Sequence, residues 1–144
     1  MSTTVKQNVD HWLRGSVQGM KSMRLLMKGN QRVFAMFAGH LALEKMLKAL
    51  CAVRGNPNAW GHDLLRLANI AGLGQSLSFA QKTELSTITG FNIEGRYNDY
   101  RNNFEKQCTE AFVRTWASTI TVWYKYLKTI VLKERVNLPN NTTV

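Results

Sequence analysis

The residues best suited to chemistry lie together in one short segment beyond residue 90. They are Arg96, Tyr97, Asp99, Tyr100 and Arg101. Guanidinium groups bind phosphate oxygens through paired N–H donors, and a tyrosine ring offers a face on which a base can stack. The segment therefore predicts a nucleotide- or phosphate-binding loop. The alternative is a structural corner, in which Arg96 pairs with Asp99 or Glu94 and Tyr97 closes the end of the fold.

The histidines supply a second set of candidate phosphate-binding residues. His40 and Glu44 stand one turn apart on a predicted helix, where they form a buried hydrogen-bonded pair or line a cleft. His62 precedes Asp63 at the start of another helix, where a packing role is the alternative. Metal-dependent phosphohydrolases also use a His-Asp pair, but they need further His and Asp ligands, and only His11 and His40 remain. We therefore expect neither a metal site nor a cofactor.

Four basic residues form a stripe on the first predicted helix. They are Arg14, Lys21, Arg24 and Lys28. At about 100° per residue they fall within an arc of roughly 80° on a helical wheel. This basic stripe either contacts a polyanion or is an ordinary solvated face.

The charge balance of the whole chain is strongly basic. Nineteen Lys and Arg residues against nine Asp and Glu residues give a net charge of +10. Such an excess attracts nucleic acid, although it also suits an acidic protein partner. Charged residues inside the most apolar stretch argue against a membrane span, and the polar N-terminus is not followed by an apolar signal sequence. We therefore expect a cytoplasmic protein, with Cys51 and Cys108 as buried free thiols.

Helical periodicity dominates the sequence, and no strand is predicted. The central element is a helix over residues 31–54, which is rich in Ala, Leu and Met and apolar nearly all round. Such a helix is typical of the interior of a bundle. The other helices are predicted over residues 9–28, 62–71, 79–89 and 102–135, with Ser78 as the N-cap of the helix over residues 79–89. We therefore predict an all-α antiparallel bundle of about five helices over residues 9–135, between a flexible N-terminus (1–8) and a disordered tail (136–144).

The last predicted helix is long for a domain of this size. At 1.5 Å per residue it would extend about 50 Å, so it must bend or pack in part on a second copy. Its apolar face is followed by further apolar residues off the main line. They are Val122, Tyr124, Tyr126 and Val131. Spare apolar area of this kind favours a homodimer interface.

Three motifs occur in a characteristic order and spacing. They are FAGHLALEKMLKALCAVRG at residues 37–55, GHDLLRLA at residues 61–68 and GRYNDY at residues 95–100. Together they resemble the HEPN family, the higher eukaryote and prokaryote nucleotide-binding domain, over roughly residues 9–134. The resemblance implies a small all-α bundle, usually a homodimer. It also implies a module of the toxin–antitoxin kind, often with a minimal nucleotidyltransferase as the partner protein.

Some members of this family are toxins that cleave RNA without a metal, using an Arg followed after four to six residues by a His. Counted from Arg96 or from Arg101, this sequence has no His at the required positions. Those positions hold Arg101, Asn102, Asn103, Lys106, Gln107 and Cys108. An Arg cannot replace the missing proton-transfer group, because it stays protonated at any working pH. The resemblance therefore implies a member of the non-toxic branch.

Three functions remain open on these grounds. The favoured hypothesis is a non-catalytic module that binds nucleotide or RNA, or docks a nucleotidyltransferase, through the Arg96–Arg101 loop and a cleft near His40. The second is a metal-independent ribonuclease with a degenerate motif, in which Arg96 and Arg101 act. The third is a structural adaptor bundle whose positive charge meets an acidic protein.

Overall fold

The computed structural model describes residues 3–144, whose regular structure is α-helical. The helices are α1 (Val5–Lys28), α2 (Arg32–Val53), α3 (Leu64–Ile70), α4 (Phe79–Thr89), α5 (Asn98–Gln107) and α6 (Glu110–Arg135). A 3-10 turn over Gly74–Ser76 joins α3 to α4. Within residues 3–144 the only strand-like pairing is one isolated antiparallel bridge between Thr4 and Thr143. The all-α bundle is confirmed, with six helices where about five were predicted.

Helix α2 is the centre of the core, as its composition predicted. It packs against α1, α3 and α6, and its side chains are buried on most sides between Ala35 and Ala52. Gly39 faces both of the other long helices. A Cβ placed there would lie 2.7 Å from Met23 Sδ on α1 and 2.8 Å from Ile120 Cδ1 on α6. Any larger residue at this position would therefore have to displace the ends of both side chains.

Side-chain caps fix where α1, α3 and α4 begin. Thr4 and Ser78 each form a capping box with a glutamine three residues later, and Asp63 accepts hydrogen bonds from the first N–H groups of α3. Each such cap is worth about 1 kcal/mol. The predicted N-cap Ser78 and the helix after it are therefore confirmed, and α3 starts at Leu64 rather than His62 because Asp63 is its cap.

The prediction of one continuous helix over residues 102–135 is wrong. Helix α5 starts earlier, at Asn98, and the chain leaves the helical conformation at Cys108 (φ −78°, ψ 63°). Thr109 then caps α6 by accepting the N–H of Phe112. The aromatic rings of Phe91, Phe104, Phe112 and Trp116 pack together at this corner. The bend satisfies the expectation that so long an apolar helix would not stay straight.

The two ends of the described chain lie side by side, and α1 starts earlier than the predicted residue 9. Helix α1 begins at Val5, and the Val5 N–H donates to the Thr142 carbonyl at 2.8 Å. Val144 N–H donates to the Thr3 carbonyl at 3.0 Å, so the tail runs beside the start of α1. Backbone groups of the two ends therefore satisfy one another, and Lys6 Nζ donates to Asn140 Oδ1 at 2.8 Å. The prediction for Met1 and Ser2 lies outside the described residues.

Burial also corrects the surface predicted for a dimer. Tyr124 and Val131 are buried in the core, and only Val122 and Tyr126 are exposed. Cys51 and Cys108 are buried free thiols, as predicted. The exposed apolar area on α6 is therefore smaller than the sequence indicated.

Candidate functional site

A cleft of about 500 Å³ lies between the turn joining α1 to α2 and one side of α5. We call it the arginine cleft. Its lining residues are Asn30, Gln31, Arg32, Val33, Phe34, Asn98, Arg101, Asn102, Glu105 and Cys108. It contains Arg101, one of the predicted residues, and adds Arg32, which was not predicted. The available signal was an arginine two residues after the Gly29-Asn30 turn, at the start of a helix, where N–H groups can bind an anion.

The arginine cleft is electropositive. Neither Arg32 nor Arg101 forms an ion pair or a side-chain hydrogen bond within residues 3–144. Helix α2 begins here without a side-chain cap and without an acidic residue in its first turn. Its first N–H groups and the positive end of its dipole therefore remain available to an anion. Glu105 is the one carboxylate in the lining.

An aromatic ring completes the lining. Phe34 lies on the first turn of α2 and is 46 % exposed. An exposed ring beside two guanidinium groups is the combination that binds a base and its phosphate. The asparagines at positions 30, 98 and 102 add amide donors and acceptors to the same surface.

In the predicted loop Arg96–Arg101, some side chains make structural contacts and others face solvent. Arg96 stacks 4.6 Å from the ring centre of Tyr100, and its Nε donates to the Asn92 carbonyl at 3.3 Å. The Tyr100 hydroxyl donates to the Gly90 carbonyl, which ties α5 to the end of α4. The alternative of a structural corner is therefore right in kind for these two residues. Its predicted contacts are not the ones found, since Arg96 pairs with no carboxylate within residues 3–144 and Tyr97 is 89 % exposed.

Three predicted residues, His40, Glu44 and His62, lie together in a second region, which with Lys48 we call the imidazole cluster. His62 Nδ1 lies 2.6 Å from Glu44 Oε1, and Lys48 Nζ donates to Glu44 Oε2 at 3.1 Å. His40 Nε2 lies 3.0 Å from the His62 carbonyl oxygen. Helix α2 therefore holds His62 through both its ring and its backbone.

His40 is fully buried, and burial lowers its pKa below the ordinary 6.5. The ring is therefore neutral near pH 7. Because a carbonyl only accepts, His40 Nε2 must carry the proton, and His40 Nδ1 is left as a buried acceptor without a partner in the described part of the chain. His40 is therefore not exposed to a ligand in this position.

Glu44 is similarly enclosed, with a side chain only 6 % exposed and both oxygens paired. Its role is to hold His62, not to face a ligand. Lys48 is largely covered as well, and its ammonium lies 5.3 Å from the ring centre of Trp12. Of the predicted histidine set, only His62 reaches solvent.

The basic stripe lies along the outside of α1. Arg14, Lys21, Arg24 and Lys28 are all exposed, and none forms an ion pair within residues 3–144. The stripe ends at Lys28, two residues before Asn30 in the lining of the arginine cleft. The two positively charged surfaces are therefore neighbours along the chain.

Neither metal chemistry nor a bilayer is indicated by the described residues. Within residues 3–144 no group of three or more His, Cys, Asp and Glu side chains could hold a metal ion. None of the helices there has the combined length and apolar character that crossing a membrane requires.

Comparison with known proteins gives one match. A family model described as the HEPN domain matches residues 9–118, from α1 into α6. The matched range contains the arginine cleft, the imidazole cluster and the basic stripe. Comparison with curated proteins and with solved structures gave no match.

Proposed function

The chain belongs to the HEPN domain family, and on that premise we propose that it is a non-catalytic module that binds a nucleotide or RNA in the arginine cleft. Arg32 and Arg101 would hold phosphate, with the first N–H groups of α2 beside them. Phe34 would stack on a base. The basic stripe would continue the contact along an RNA strand past Lys28.

One observation carries this proposal. Two guanidinium groups that have no side-chain partner within residues 3–144, from α2 and α5, line the same cleft as an uncapped helix start. Arg32 is half-buried and Arg101 exposed, so both groups and the first N–H groups of α2 are free to exchange water for an anionic ligand. Phosphate satisfies all three together, because guanidinium forks and helix N-termini both bind its oxygens.

The non-catalytic part of the proposal depends on Cys108. Counted from Arg101, Cys108 stands at one of the positions where a ribonuclease of this family needs its His. Burial raises the pKa of the Cys108 thiol to about 11, so the thiol keeps its proton near pH 7 and cannot act as a base. None of the three histidines lines the arginine cleft.

Two wider properties belong to the same proposal. We propose a homodimer, with Val122 and Tyr126 as its exposed apolar contacts on α6. We also propose a minimal nucleotidyltransferase as the partner protein. Both follow from family membership, and size-exclusion chromatography with light scattering tests the first directly.

The binding test uses a fluorescent single-stranded RNA oligonucleotide and, separately, ADP. We expect the Arg32→Gln, Arg101→Gln double variant to bind both at least about tenfold more weakly, since each charge-assisted hydrogen bond is worth roughly 1.5–3 kcal/mol. The matched control is the Lys82→Gln, Lys125→Gln double variant, which also removes two positive charges but from α4 and α6. Equal losses in the two double variants would show that only net charge matters and would reject the cleft as the binding site.

The catalytic alternative has its own test. RNA is incubated with the wild-type chain in the presence of a metal chelator, beside the Arg96→Ala variant. We expect no cleavage by either protein. Cleavage by the wild type that the variant lacks would establish a ribonuclease and overturn the non-catalytic part of the proposal while leaving RNA binding intact.

A further inference from the structure

His62 is held in an unusually defined position for a surface residue. Its Nδ1 lies 2.6 Å from the nearly buried carboxylate of Glu44, and its carbonyl accepts a hydrogen bond from buried His40. Gly61 before it has φ +96°, a conformation that favours glycine, and Asp63 after it caps α3. Ring and backbone are therefore both fixed before any ligand arrives.

The contact with Glu44 also fixes which nitrogen can react. A carboxylate only accepts, so Nδ1 carries a proton and the lone pair of the neutral ring is on Nε2. Nε2 has no hydrogen-bond partner in the described chain and is not buried, in a side chain that is 55 % exposed. A nucleophilic nitrogen is thus presented to solvent with a carboxylate behind the ring, the arrangement that activates histidine as a nucleophile.

The other two histidines of the chain lack this combination. His11 is exposed on α1 and lies edge-on to Trp12, and within residues 3–144 no carboxylate is bonded to its ring. His40 is bonded but fully buried. His62 alone combines an exposed nitrogen with an oriented ring.

The charges of the chain suit a phosphoryl transfer to this ring. The positive charge that the ring gains on phosphorylation would face the Glu44 carboxylate at Nδ1. The net charge of +10 on the chain would attract an anionic donor.

We propose that His62 is a phosphoryl-accepting residue, whose Nε2 takes a phosphoryl group from a donor of the phosphoramidate class, such as the phosphohistidine of another protein. The Nε2 lone pair forms a bond to phosphorus as the P–N bond of the donor breaks. The donor reacts in its N-protonated form, so its nitrogen leaves neutral with the electron pair. The Nδ1 proton stays between the ring and Glu44.

This proposal is independent of RNA binding in the arginine cleft, whose lining excludes His62. The experiment incubates the full chain with potassium phosphoramidate and follows the added phosphoryl group by intact mass, acid lability and peptide mapping. We expect one acid-labile phosphoryl group, on His62, formed at least about tenfold faster than any on His11 because an oriented, carboxylate-paired imidazole is the better nucleophile.

Three variants separate nucleophile from scaffold. His62→Asn retains a donor near the position of Nδ1 and should abolish the modification, whereas His11→Asn should leave its rate unchanged. Glu44→Gln should slow it by about tenfold. Should Glu44→Gln unfold, Glu44→Asp, which withdraws the carboxylate by one methylene, gives the same comparison. Equal rates on His62 and His11, a Glu44 variant that reacts at the wild-type rate, or no modification in excess donor would each overturn the proposal.

Discussion

The arginine cleft and the imidazole cluster distribute their polar groups in opposite ways. In the cleft, Arg32 and Arg101 have no side-chain partner in the described part of the chain and lie beside an uncapped helix start. In the cluster, both oxygens of Glu44 and the Nδ1 of His62 are paired with each other and with Lys48. The guanidinium groups of the cleft are therefore available to a ligand, whereas most polar atoms of the cluster are already bonded to one another.

Because of this difference, substitutions in the two regions should affect different measured quantities. Removing a group that has no protein partner costs the fold little, but it costs a ligand that the group would have bound. Removing a group from a nearly buried network leaves its former partners desolvated and unpaired. Substitutions in the cleft should therefore change affinity, and substitutions in the cluster should change the free energy of unfolding.

The largest expected effect is on stability, from Glu44→Ala. This substitution removes the partner of the largely buried Lys48 ammonium and the hydrogen bond to His62. The free energy of unfolding should therefore fall by about 3 kcal/mol, as when one partner of a buried ion pair is removed. Urea unfolding followed by circular dichroism measures it. The matched substitution in the cleft is Glu105→Ala, expected to stay within about 0.5 kcal/mol of wild type. Similar losses in both variants would erase the distinction between the regions.

The next effect is on binding, from Phe34→Ala in the cleft. Losing a stacked base costs roughly 1–3 kcal/mol, so RNA affinity should fall by about tenfold or more while the unfolding midpoint stays near that of wild type. Fluorescence anisotropy at constant salt measures the affinity. Phe79→Ala removes an exposed ring from α4 and serves as the control. If Phe79→Ala weakens binding as much, base stacking in the cleft is disproved.

Alkaline pH should act through the two buried thiols, one of which borders the cleft. Burial raises the pKa of Cys51 and of Cys108 from 9.0 to about 11. The thiols therefore lose their protons at a lower pH in the unfolded state than in the folded state. Because thiolate formation favours the unfolded state, the free energy of unfolding falls as the pH rises from 9 towards 11. Each thiol should cost about 1 kcal/mol by pH 10. Urea unfolding at pH 8 and pH 10 measures this loss, which Cys108→Ala should reduce; an unchanged loss would contradict the assignment.

Mild acid should act on the cluster instead, through His40. Burial lowers the pKa of its imidazole, so below 6.5 the unfolded state binds more protons than the folded state. The neutral His40 ring therefore contributes to the free energy of unfolding above pH 6.5, and this contribution is lost as the pH falls through the lowered pKa. Between pH 7 and pH 6 this loss of stability should be smaller than the effects of Glu44→Ala, Phe34→Ala and alkaline pH. Unfolding of wild type and His40→Gln at the two pH values measures it, and the variant should lack the decline.

Much of the helical framework could be predicted because its signals are local. The cap Ser78, the helix after it and the enclosed helix α2 follow from caps, composition and spacing, all of which a chain carries within a few neighbouring residues. The break at Cys108–Thr109 could not be found in this way. Apolar spacing continues from Phe104 through Phe112, and the aromatic cluster that stabilises the corner includes Phe91 from outside the helix.

The candidate sites were predicted less completely, because a site depends on which distant residues meet. Arg101 was identified, but its counterpart Arg32 belongs to a different helix and lacked a motif. His40, Glu44 and His62 were each selected for a ligand, and the structure directs two of them inward. Residue type indicated which side chains have suitable chemistry, not which of them face solvent.

The sequence by itself determined the helical class, the enclosed α2 and the positive charge, because periodicity and composition act between near neighbours or over the whole chain. Only the tertiary structure decided that His62 meets Glu44, that Arg32 and Arg101 share a cleft, and that His40 is withdrawn from solvent. Those outcomes depend on how the helices pack, and packing is fixed by the fit of surfaces contributed by segments far apart in the chain.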